Sequence, residues 1–457
     1  MTKLTYEDLK LPNYVNSSTA VTIKVKDGDK LKDLDLTLSD VVAAAELAGL
    51  NMLFVSDTGR GKTQLVSDIA WNHFGGHDES GNANWADGRP NFEIQELFER
   101  TRIDKDAKVY DSDTATQLKE ERTSRPLVVV DEINRAPKVK QNEYFDLAEG
   151  KYTFRGSRLR LGKDDYALFL ATANLNKSNG DFQGTFELDR ALINRAHLTI
   201  DLDHRTFRPT PEDKIAIDER EADPKLKVAD PRDISDRIIA EHRVIMDQTR
   251  GMDTYILAFK FIVDEGLNFC DKDAFKEKTT TFPMLCGDCG YTGKDMCSLV
   301  KSSSDRTTKA VKALAYGLAK IAELKLGRPV EVDNLDAALQ AYKFTTYHGN
   351  LNDVVAQSEF GSRKQELMTR VVEELEKRVD LLRSYVPIIQ AGRAPVTLVY
   401  NANGRVVRAE KTSKVADALR DKGISYTQKD LKTELKESGI GVDWVDAYAK
   451  RFKKWQY

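Results

Sequence analysis

Three short stretches of the chain are almost continuously apolar, and each is bounded by polar or glycine-containing sequence. They cover residues 50–55, 127–130 and 166–173. Apolar runs of about four to eight residues without alternation are typical of strands that are buried on both faces, as in a parallel sheet covered by helices. The pattern therefore predicts an α/β fold class with a parallel sheet at its centre.

Helical and weaker patterns surround these strands. An alanine-rich helix with a Ser-Asp pair near its start is predicted over residues 36–50, and a second helix begins near residue 64. Residues 1–35 predict an extended, polar lead-in with one edge strand at residues 21–25. Residues 74–124 are polar and predict an insertion without a core strand, carrying one helix around residues 93–102.

The region between the second and third strands has a helix and a hairpin. A short helix is predicted over residues 142–149. Alternating residues then flank a Gly-Ser turn within residues 150–161, which is typical of a β-hairpin. Its arms carry four basic residues, Lys151, Arg155, Arg158 and Arg160.

The second half of the chain is mainly helical and ends in a small mixed segment. A strand–turn–strand pattern is predicted over residues 395–408. Helices are predicted over residues 231–247, 255–263, 302–324 and 358–385, and one more begins at 330–335.

Composition narrows the class of protein. With 457 residues, 40% hydrophobic and 31% charged, the chain is expected to form two to four globular domains. A net charge of −3 gives no bulk attraction to nucleic acid or to an anionic membrane. The sequence contains neither an apolar run of about 20 residues nor an N-terminal signal core, so we expect a cytoplasmic protein without a membrane partner.

The first apolar run leads into a glycine-rich turn followed by a helix. Such a turn points backbone N–H groups at one anion, and the positive end of the helix faces the same point. Lys62 adds a cation for the β and γ phosphates, and Thr63 adds a hydroxyl for Mg²⁺. Ser56 stands where the usual phosphate-loop pattern has its first glycine. The predicted nucleotide-binding residues are Ser56, Asp57, Thr58, Gly59, Arg60, Gly61, Lys62, Thr63 and Gln64.

The other two apolar runs end in residues suited to hydrolysis. Asp131 and Glu132 follow the second run, and Asn174 follows the third. Ligands of open α/β sheets bind at the carboxyl ends of the strands. We expect Asp131 to hold Mg²⁺ with Thr63, and Glu132 to orient the attacking water as a general base. Asn174 is a candidate to hold that water or the γ phosphate.

All four cysteines lie between predicted helices in the second half of the chain. A Cys-x-x-Cys turn containing glycine aims two thiolates at one point, and two further cysteines complete a tetrahedral set. This favours a structural Zn²⁺ site, with a redox pair and unligated thiols as the alternatives. The predicted zinc ligands are Cys270, Cys286, Cys289 and Cys297.

Several motifs together resemble the MoxR branch of the AAA+ ATPases. The resemblance covers residues 36–205 well and 206–350 loosely. It implies a P-loop core bearing a helical lid, an ATP-driven ring that is usually a hexamer, and sensor roles for Asn174 and Arg306. It also implies that Arg195 acts as a finger towards the γ phosphate of a neighbouring subunit, with Arg190 as the alternative. The matching segments are 131–137, Lys140, Gln141, 171–174, 184–188 and 192–195.

The combined patterns predict five parts of the chain. The expected parts are an N-terminal extension (1–35), an AAA+ α/β nucleotide-binding core (36–206), a helical lid (207–350) with a four-cysteine zinc insertion at about 267–300, a helical spacer (351–392) and a small C-terminal α+β domain (393–457).

The expected function is a chaperone-like motor that hydrolyses ATP to remodel a protein target. The resemblance implies a von Willebrand factor A partner and a role in metal-cofactor maturation. The basic hairpin and the basic, aromatic tail at residues 450–457 leave open a motor directed by nucleic acid. A nucleotide-gated assembly protein that does not hydrolyse ATP is a third alternative.

Overall fold

A computed structural model describes most of the first 250 residues and selected segments beyond them. The described ranges are 3–27, 30–78, 80–98, 102–103, 109–110, 121–154, 157–174, 185–220, 226–250, 299–300, 305–345, 351–376, 396–400 and 406–411. The chain divides into two compact units. The first comprises Met1–Arg250 and Lys309–Gly349, and the second comprises Gly251–Thr308 and Asn350–Tyr457.

The described residues of the two units form strands, helices and short 3-10 helices. The strands are β1 (Thr19–Asp27), β2 (Lys30–Thr37), β3 (Met52–Val55), β4 (Ala83–Asp87), β5 (Arg102–Ile103), β6 (Val109–Tyr110), β7 (Leu127–Asp131), β8 (Lys151–Phe154), β9 (Ser157–Arg160), β10 (Leu168–Ala173), β11 (Leu198–Asp201), β12 (Glu331–Val332), β13 (Val396–Tyr400) and β14 (Val406–Lys411). The helices are α1 (Leu38–Leu47), α2 (Lys62–Phe74), α3 (Gln95–Phe98), α4 (Lys138–Ala148), α5 (Arg190–Ile193), α6 (Pro211–Arg220), α7 (Ser235–Arg250), α8 (Asp305–Leu326), α9 (Asn334–Thr345), α10 (Asp353–Phe360) and α11 (Lys364–Glu376). Short 3-10 helices occupy Glu7–Leu9, Ile133–Arg135 and Arg205–Phe207.

A parallel five-stranded sheet forms the centre of the first unit, in the order β11-β3-β10-β7-β4. All residues of β3, β10 and β11 are buried, as expected for strands covered on both faces. The predicted α/β class is therefore confirmed, and the fold is the P-loop core that the resemblance implies. The strand order brings β7, β10 and β3 side by side.

One strand of this sheet contradicts the sequence prediction. Residues 74–124 were expected to contain no core strand, yet β4 pairs in parallel with β7 over its whole length. Because Asn84 and Asp87 interrupt the apolar residues of β4, its sequence does not show the continuous apolar run that marks the other buried strands. Asn84 is nevertheless buried, and its Nδ2 donates to the carbonyl of Arg122 at 2.9 Å. That hydrogen bond satisfies the donor side of the buried amide, whereas Asn84 Oδ1 has no hydrogen-bond partner among the described residues.

The first 37 residues also differ from the predicted lead-in. β1 is the middle strand of a three-stranded antiparallel sheet, β12-β1-β2, and is not an edge strand. Val21, Ile23 and Val25 are buried on one face of it. The partner β12 lies more than three hundred positions along the chain, so a local reading of the sequence does not reveal the pairing.

The helix ends are explained by capping residues. Helix α1 begins after Thr37, which forms a capping box with Asp40. The predicted helix over 142–149 begins earlier, at Lys138 after Pro137, because proline is favoured where a helix starts. The helix predicted over 358–385 is interrupted, because α10 ends at Phe360, Gly361 adopts a φ of +56° and α11 begins at Lys364. Residues 377–385 lie outside the described residues.

The remaining predictions have mixed outcomes. The hairpins are confirmed as β8–β9 and β13–β14, and the helices expected at 231–247 and 302–324 are α7 and α8. The helix expected to begin at 330–335 is α9, which begins at Asn334 after the short β12. The helix expected at 255–263, the cysteine-containing insertion and the basic tail lie outside the described residues. In the part of the chain that is described, no helix is long and apolar enough to cross a membrane.

Candidate functional site

The carboxyl ends of β3, β7 and β10 meet at one edge of the parallel sheet. The glycine-rich turn follows β3, the two acids follow or end β7, and Asn174 follows β10. A backbone hydrogen bond from Ser56 N to Ala173 O, at 3.3 Å, joins the start of the turn to the end of β10. The strand order thus brings together the segments that the sequence marks as candidates.

Residues 56–63, which form the turn before α2 and the first two residues of that helix, are called the phosphate loop below, from the function that their sequence predicts. Gly59 and Gly61 have φ angles of +75° and +80°, which only glycine adopts without strain. A Cβ on Gly59 would meet nothing within 4 Å, so backbone conformation alone requires glycine there. A Cβ on Gly61 would lie 3.4 Å from the ring of Tyr14, a buried residue of the N-terminal segment. Helix α2 begins at Lys62 and directs its N-terminal end towards the loop.

Lys62 is buried and is held by oxygen atoms of the loop itself. Its Nζ donates to Ser56 O at 3.1 Å, to Ser56 Oγ at 2.8 Å and to Asp57 O at 2.9 Å. Burial lowers the pKa of Lys62, and the negative charges of Asp203, Asp131, Glu132 and Asp57 oppose that shift. Ser56 stands where the usual pattern has glycine, and its hydroxyl is therefore a direct hydrogen-bond partner of Lys62.

A set of hydroxyl and carboxylate oxygens lies beside the start of α2. The Thr63 hydroxyl donates to the two carboxylate oxygens of Asp131 at 3.4 and 3.3 Å. The Thr172 hydroxyl donates to Asp131 Oδ1 at 2.5 Å. Hydroxyl and carboxylate oxygens are the ligands that Mg²⁺ prefers, so Thr63 and Asp131 fit the predicted magnesium position.

Glu132 occupies a strained turn and is held at both carboxylate oxygens. Its φ is +52°, a conformation that is costly for a residue with a side chain and that concentrates at functional sites. Oε1 accepts a hydrogen bond from Asn174 Nδ2 at 3.3 Å, and Oε2 lies 2.9 Å from Arg135 Nε. Glu132 N donates to the Thr172 hydroxyl at 2.8 Å. The carboxylate is therefore oriented by neighbours on two strand ends.

The pair of Asn134 and Asn174 fixes these strand ends to each other. Asn134 Nδ2 donates to Asn174 O at 3.1 Å, and Asn174 N donates to Asn134 Oδ1 at 3.2 Å. Both asparagines are buried. These two hydrogen bonds restrain the backbone of Asn174, the residue whose side-chain amide contacts Glu132.

Gly88 was missed by the sequence analysis and lies against the turn of Glu132. A Cβ on Gly88 would come within 2.2 Å of the carbonyl oxygen of Glu132. Gly88 N also donates to Asp131 O at 2.7 Å. The chain after β4 thus packs backbone to backbone against the two acids. The signal for this contact is a glycine directly after β4, a strand that the sequence pattern does not reveal.

Asp203 is a second functional candidate that the sequence analysis missed. Its Oδ2 accepts a hydrogen bond from Asp57 N at 2.7 Å, and its Oδ1 lies 3.0 Å from Arg60 Nε. Both partners belong to the phosphate loop, whereas Asp203 follows β11, the neighbour of β3 in the sheet. An acid shortly after a buried strand is the only trace of this contact in the sequence.

Gln64 lies on the first turn of α2 and connects the loop to two other segments. Its amide donates to Lys227 O at 2.8 Å and accepts from Lys227 N at 3.1 Å. It also donates to Asp68 Oδ1 at 2.9 Å. Asp68, which is fully buried, accepts hydrogen bonds from Asn13 N and Tyr14 N, both at 2.7 Å, and from Asn13 Nδ2 at 3.0 Å. The N-terminal segment is thus fastened to the phosphate-loop helix.

The candidate arginines differ in their surroundings. Arg195 donates to Glu149 Oε1 at 2.9 Å and to Ala191 O at 3.0 Å, and its guanidinium lies 4.9 Å from the centre of the Phe145 ring. Arg190 begins α5 and is exposed. Arg306 is exposed in the first turn of α8 and belongs to the second unit. Their roles as finger and sensor remain predictions.

Metal binding beyond the magnesium position also remains a prediction. The four cysteines lie outside the described residues. Within the ranges that the structure covers, no group of three or more His, Cys, Asp or Glu side chains is arranged to hold a metal ion.

Comparison with known proteins adds a likeness in structure. Neither the models of known protein families nor the sequences of curated proteins match the chain. Among solved structures, the chain is similar to a Cytophaga hutchinsonii protein described as a "putative ATPase", with 16% sequence identity and a TM-score of 0.47. The match covers 72% of this chain and 87% of that chain. The fold assignment rests on the strand order and the phosphate loop described above.

Proposed function

We propose that this chain binds and hydrolyses ATP with Mg²⁺, and that it is a MoxR-type AAA+ ATPase. One observation carries the proposal. The phosphate loop, the Thr63–Asp131 oxygens and the Glu132–Asn174 pair meet at the same edge of the sheet. A triphosphate needs these three provisions together: a cradle of donors, a magnesium position and a group that orients water.

Each residue has a separate role in this proposal. The loop N–H groups and Lys62 hold the phosphates, and the lysine exchanges its contacts with Ser56 and Asp57 for phosphate oxygens. Thr63 and Asp131 hold the magnesium ion, which neutralises charge on the β and γ phosphates when it is bound. Glu132 accepts the proton of the attacking water while Asn174 keeps its carboxylate oriented. Because Asn134 fixes the backbone of Asn174 through two hydrogen bonds, the strand end that carries the Asn174 side chain is organised before ATP arrives.

The wider role follows from the resemblance and is part of the same proposal. The chain acts as a ring, usually of six subunits, in which Arg195 of one subunit approaches the γ phosphate held by the next. It remodels a protein target together with a von Willebrand factor A partner.

Nucleotide binding and hydrolysis by variants of the full chain test the proposal. We expect Lys62→Ala to lose ATP binding, and Glu132→Gln to retain binding while hydrolysis falls at least about a hundredfold. Glu143→Gln is the matched control, because Glu143 is an exposed acid on α4 and its loss should leave hydrolysis unchanged. Phosphate release that is equally near zero in wild type and Glu132→Gln would favour the non-hydrolysing alternative. An absence of ATP binding by the wild type would refute the proposal.

The structure gives less support to a motor directed by nucleic acid. In the β8–β9 hairpin, Lys151 pairs with Glu149 and Arg160 pairs with Asp165. These acids offset part of the positive charge that motivated the alternative. Hydrolysis stimulated by single- or double-stranded DNA and falling steeply with salt would revive it.

A further inference from the structure

The turn after β11 contacts the phosphate loop at two points through a single carboxylate. Asp203 Oδ2 accepts the backbone N–H of Asp57 at 2.7 Å, and Oδ1 lies 3.0 Å from Arg60 Nε. Asp57 and Arg60 are the second and fifth residues of the loop, so the carboxylate joins its two sides. We propose that Asp203 is a positioning residue for nucleotide binding, which braces the phosphate loop through the Asp57 amide and the Arg60 guanidinium. This inference rests on the proposed function.

The sequence of the loop explains why a brace is useful. Arg60 stands between Gly59 and Gly61, both with positive φ angles, and glycine loses more conformational freedom on ordering than other residues do. A loop that is ordered before it binds a ligand avoids that entropic cost at the moment of binding. The Asp203 contacts restrict the chain on both sides of Gly59, at the stretch where the backbone alone is least restrained.

The environment of the brace makes it stronger than an ordinary surface ion pair. The Asp203 side chain is only 14% exposed, whereas the Arg60 side chain is 47% exposed. A carboxylate shielded from water is less screened by salt, and a hydrogen bond from an N–H to a charged acceptor is stronger than one to a neutral acceptor. The Asp57 contact is therefore expected to contribute more than the half-exposed Arg60 contact.

The turn that carries Asp203 is itself held by hydrogen bonds of its backbone. Leu202 N donates to Val55 O at 2.9 Å, which ties this turn to the end of β3 just before the loop begins. Asp203 N donates to Asp201 Oδ1 at 2.9 Å, and Arg208 Nε donates to Asp203 O at 2.8 Å. Because the turn that carries Asp203 is hydrogen-bonded to the end of β3, directly before the phosphate loop, the Asp203 contacts hold the loop in place relative to the sheet.

A positioning role predicts a specific kinetic pattern. The Asp203 contacts shape the loop, while the chemistry is assigned to Glu132 and Asn174. We therefore expect Asp203→Ala to raise the KM for MgATP about tenfold or more, with kcat at saturating ATP close to that of the wild type. Asp203→Asn keeps an oxygen that can accept the Asp57 N–H but removes the charge opposite Arg60. Its KM should lie between those of the wild type and Asp203→Ala.

The experiment measures KM and kcat by phosphate release, and melting temperature, for full-length variants. Arg60→Ala should raise KM alone but add less in an Asp203→Ala background, since both changes break one brace. Asp218→Ala, which removes an exposed acid of α6, is the control that should change none of these values. An unchanged KM in Asp203→Ala would overturn the inference, and so would a fall in kcat that matches a loss of folded protein. If Lys62→Ala and Glu132→Gln also behave like the wild type, the proposed function itself fails.

Discussion

Replacing Gly88 with alanine should damage hydrolysis far more than nucleotide binding. The added Cβ would lie 2.2 Å from the Glu132 carbonyl oxygen and 2.9 Å from the Cα of Ile133, whereas ordinary van der Waals contact begins at 3.4 Å. The two backbones must therefore separate by about 1 Å, since neither atom is the end of a flexible side chain. Overpacking of this kind costs about 1–3 kcal/mol of folding free energy.

The displaced backbone carries the residue proposed as the general base. A misplacement of about 1 Å in a catalytic group can cost about a hundredfold in rate. The phosphate loop has its own contacts with β3 and α2, so we expect kcat of Gly88→Ala to fall about a hundredfold while the Kd for ATP changes little. Phosphate release at saturating ATP measures kcat, and a fluorescent ATP analogue measures Kd.

Gly317→Ala is the matched control for this prediction. Its Cβ would lie 2.4 Å from the Ala44 carbonyl oxygen, in the contact between α8 and α1, so it introduces a similar backbone clash elsewhere. It should lower the melting temperature by a comparable amount with kcat per folded molecule unchanged. The reasoning is refuted if Gly88→Ala keeps a normal kcat, or if both variants lose kcat equally.

Three further predictions concern other parts of the chain. Arg195→Ala should lower hydrolysis about a thousandfold with ATP binding retained. Mixing this variant with Glu132→Gln should restore some hydrolysis, because the Glu132→Gln chain supplies the missing arginine. Mixtures that are no more active than the separate variants would contradict an arginine finger that acts between subunits. Burial acts to raise the pKa of Asp8, but hydrogen bonds and the Arg237 charge hold it below its usual value. The stabilisation by Asp8 is therefore present above the unfolded pKa of about 3.9 and is lost as the pH falls through the folded pKa. Over that pH range, the free energy of unfolding should fall more steeply for the wild type than for Asp8→Asn, as measured by denaturant unfolding at several pH values. Metal analysis should find one zinc per chain, and a chelator that removes this zinc should make the cysteine thiols reactive. Four freely reacting thiols in protein without zinc would contradict ligation by Cys270, Cys286, Cys289 and Cys297.

The sequence predicts well those features that depend on neighbours along the chain. Continuous apolar runs identify β3, β7 and β10 because strands buried on both faces need apolar residues at every position. The loop, Asp131, Glu132 and Asn174 are recognisable because each directly follows or ends such a run. Their meeting at one sheet edge follows from the parallel arrangement, and the observed contacts of Thr63 with Asp131 agree with it.

The sequence does not reveal features that depend on distant segments. β4 contains the buried Asn84, whose Nδ2 donates to the carbonyl of Arg122, a residue 38 positions further along the chain. β1 reads as an edge strand because its second partner, β12, is supplied by a segment near residue 331. Gly88 and Asp203 have no local motif, since their importance arises from the backbone that the fold brings against them. The same limit applies to the docking of Arg195 on Glu149.

The fastening of the N-terminal segment to α2 has a consequence for any shortened form of this protein. Asp68 receives four hydrogen bonds, and three of them come from Asn13 and Tyr14. Deleting the first sixteen residues would remove three of these four hydrogen-bond donors together with a segment that contacts the carboxylate, so we expect a loss of folding stability. Residues 13 and 14 therefore belong structurally with α2, and we expect a chain that begins at the first helix to be less stable than one that retains them.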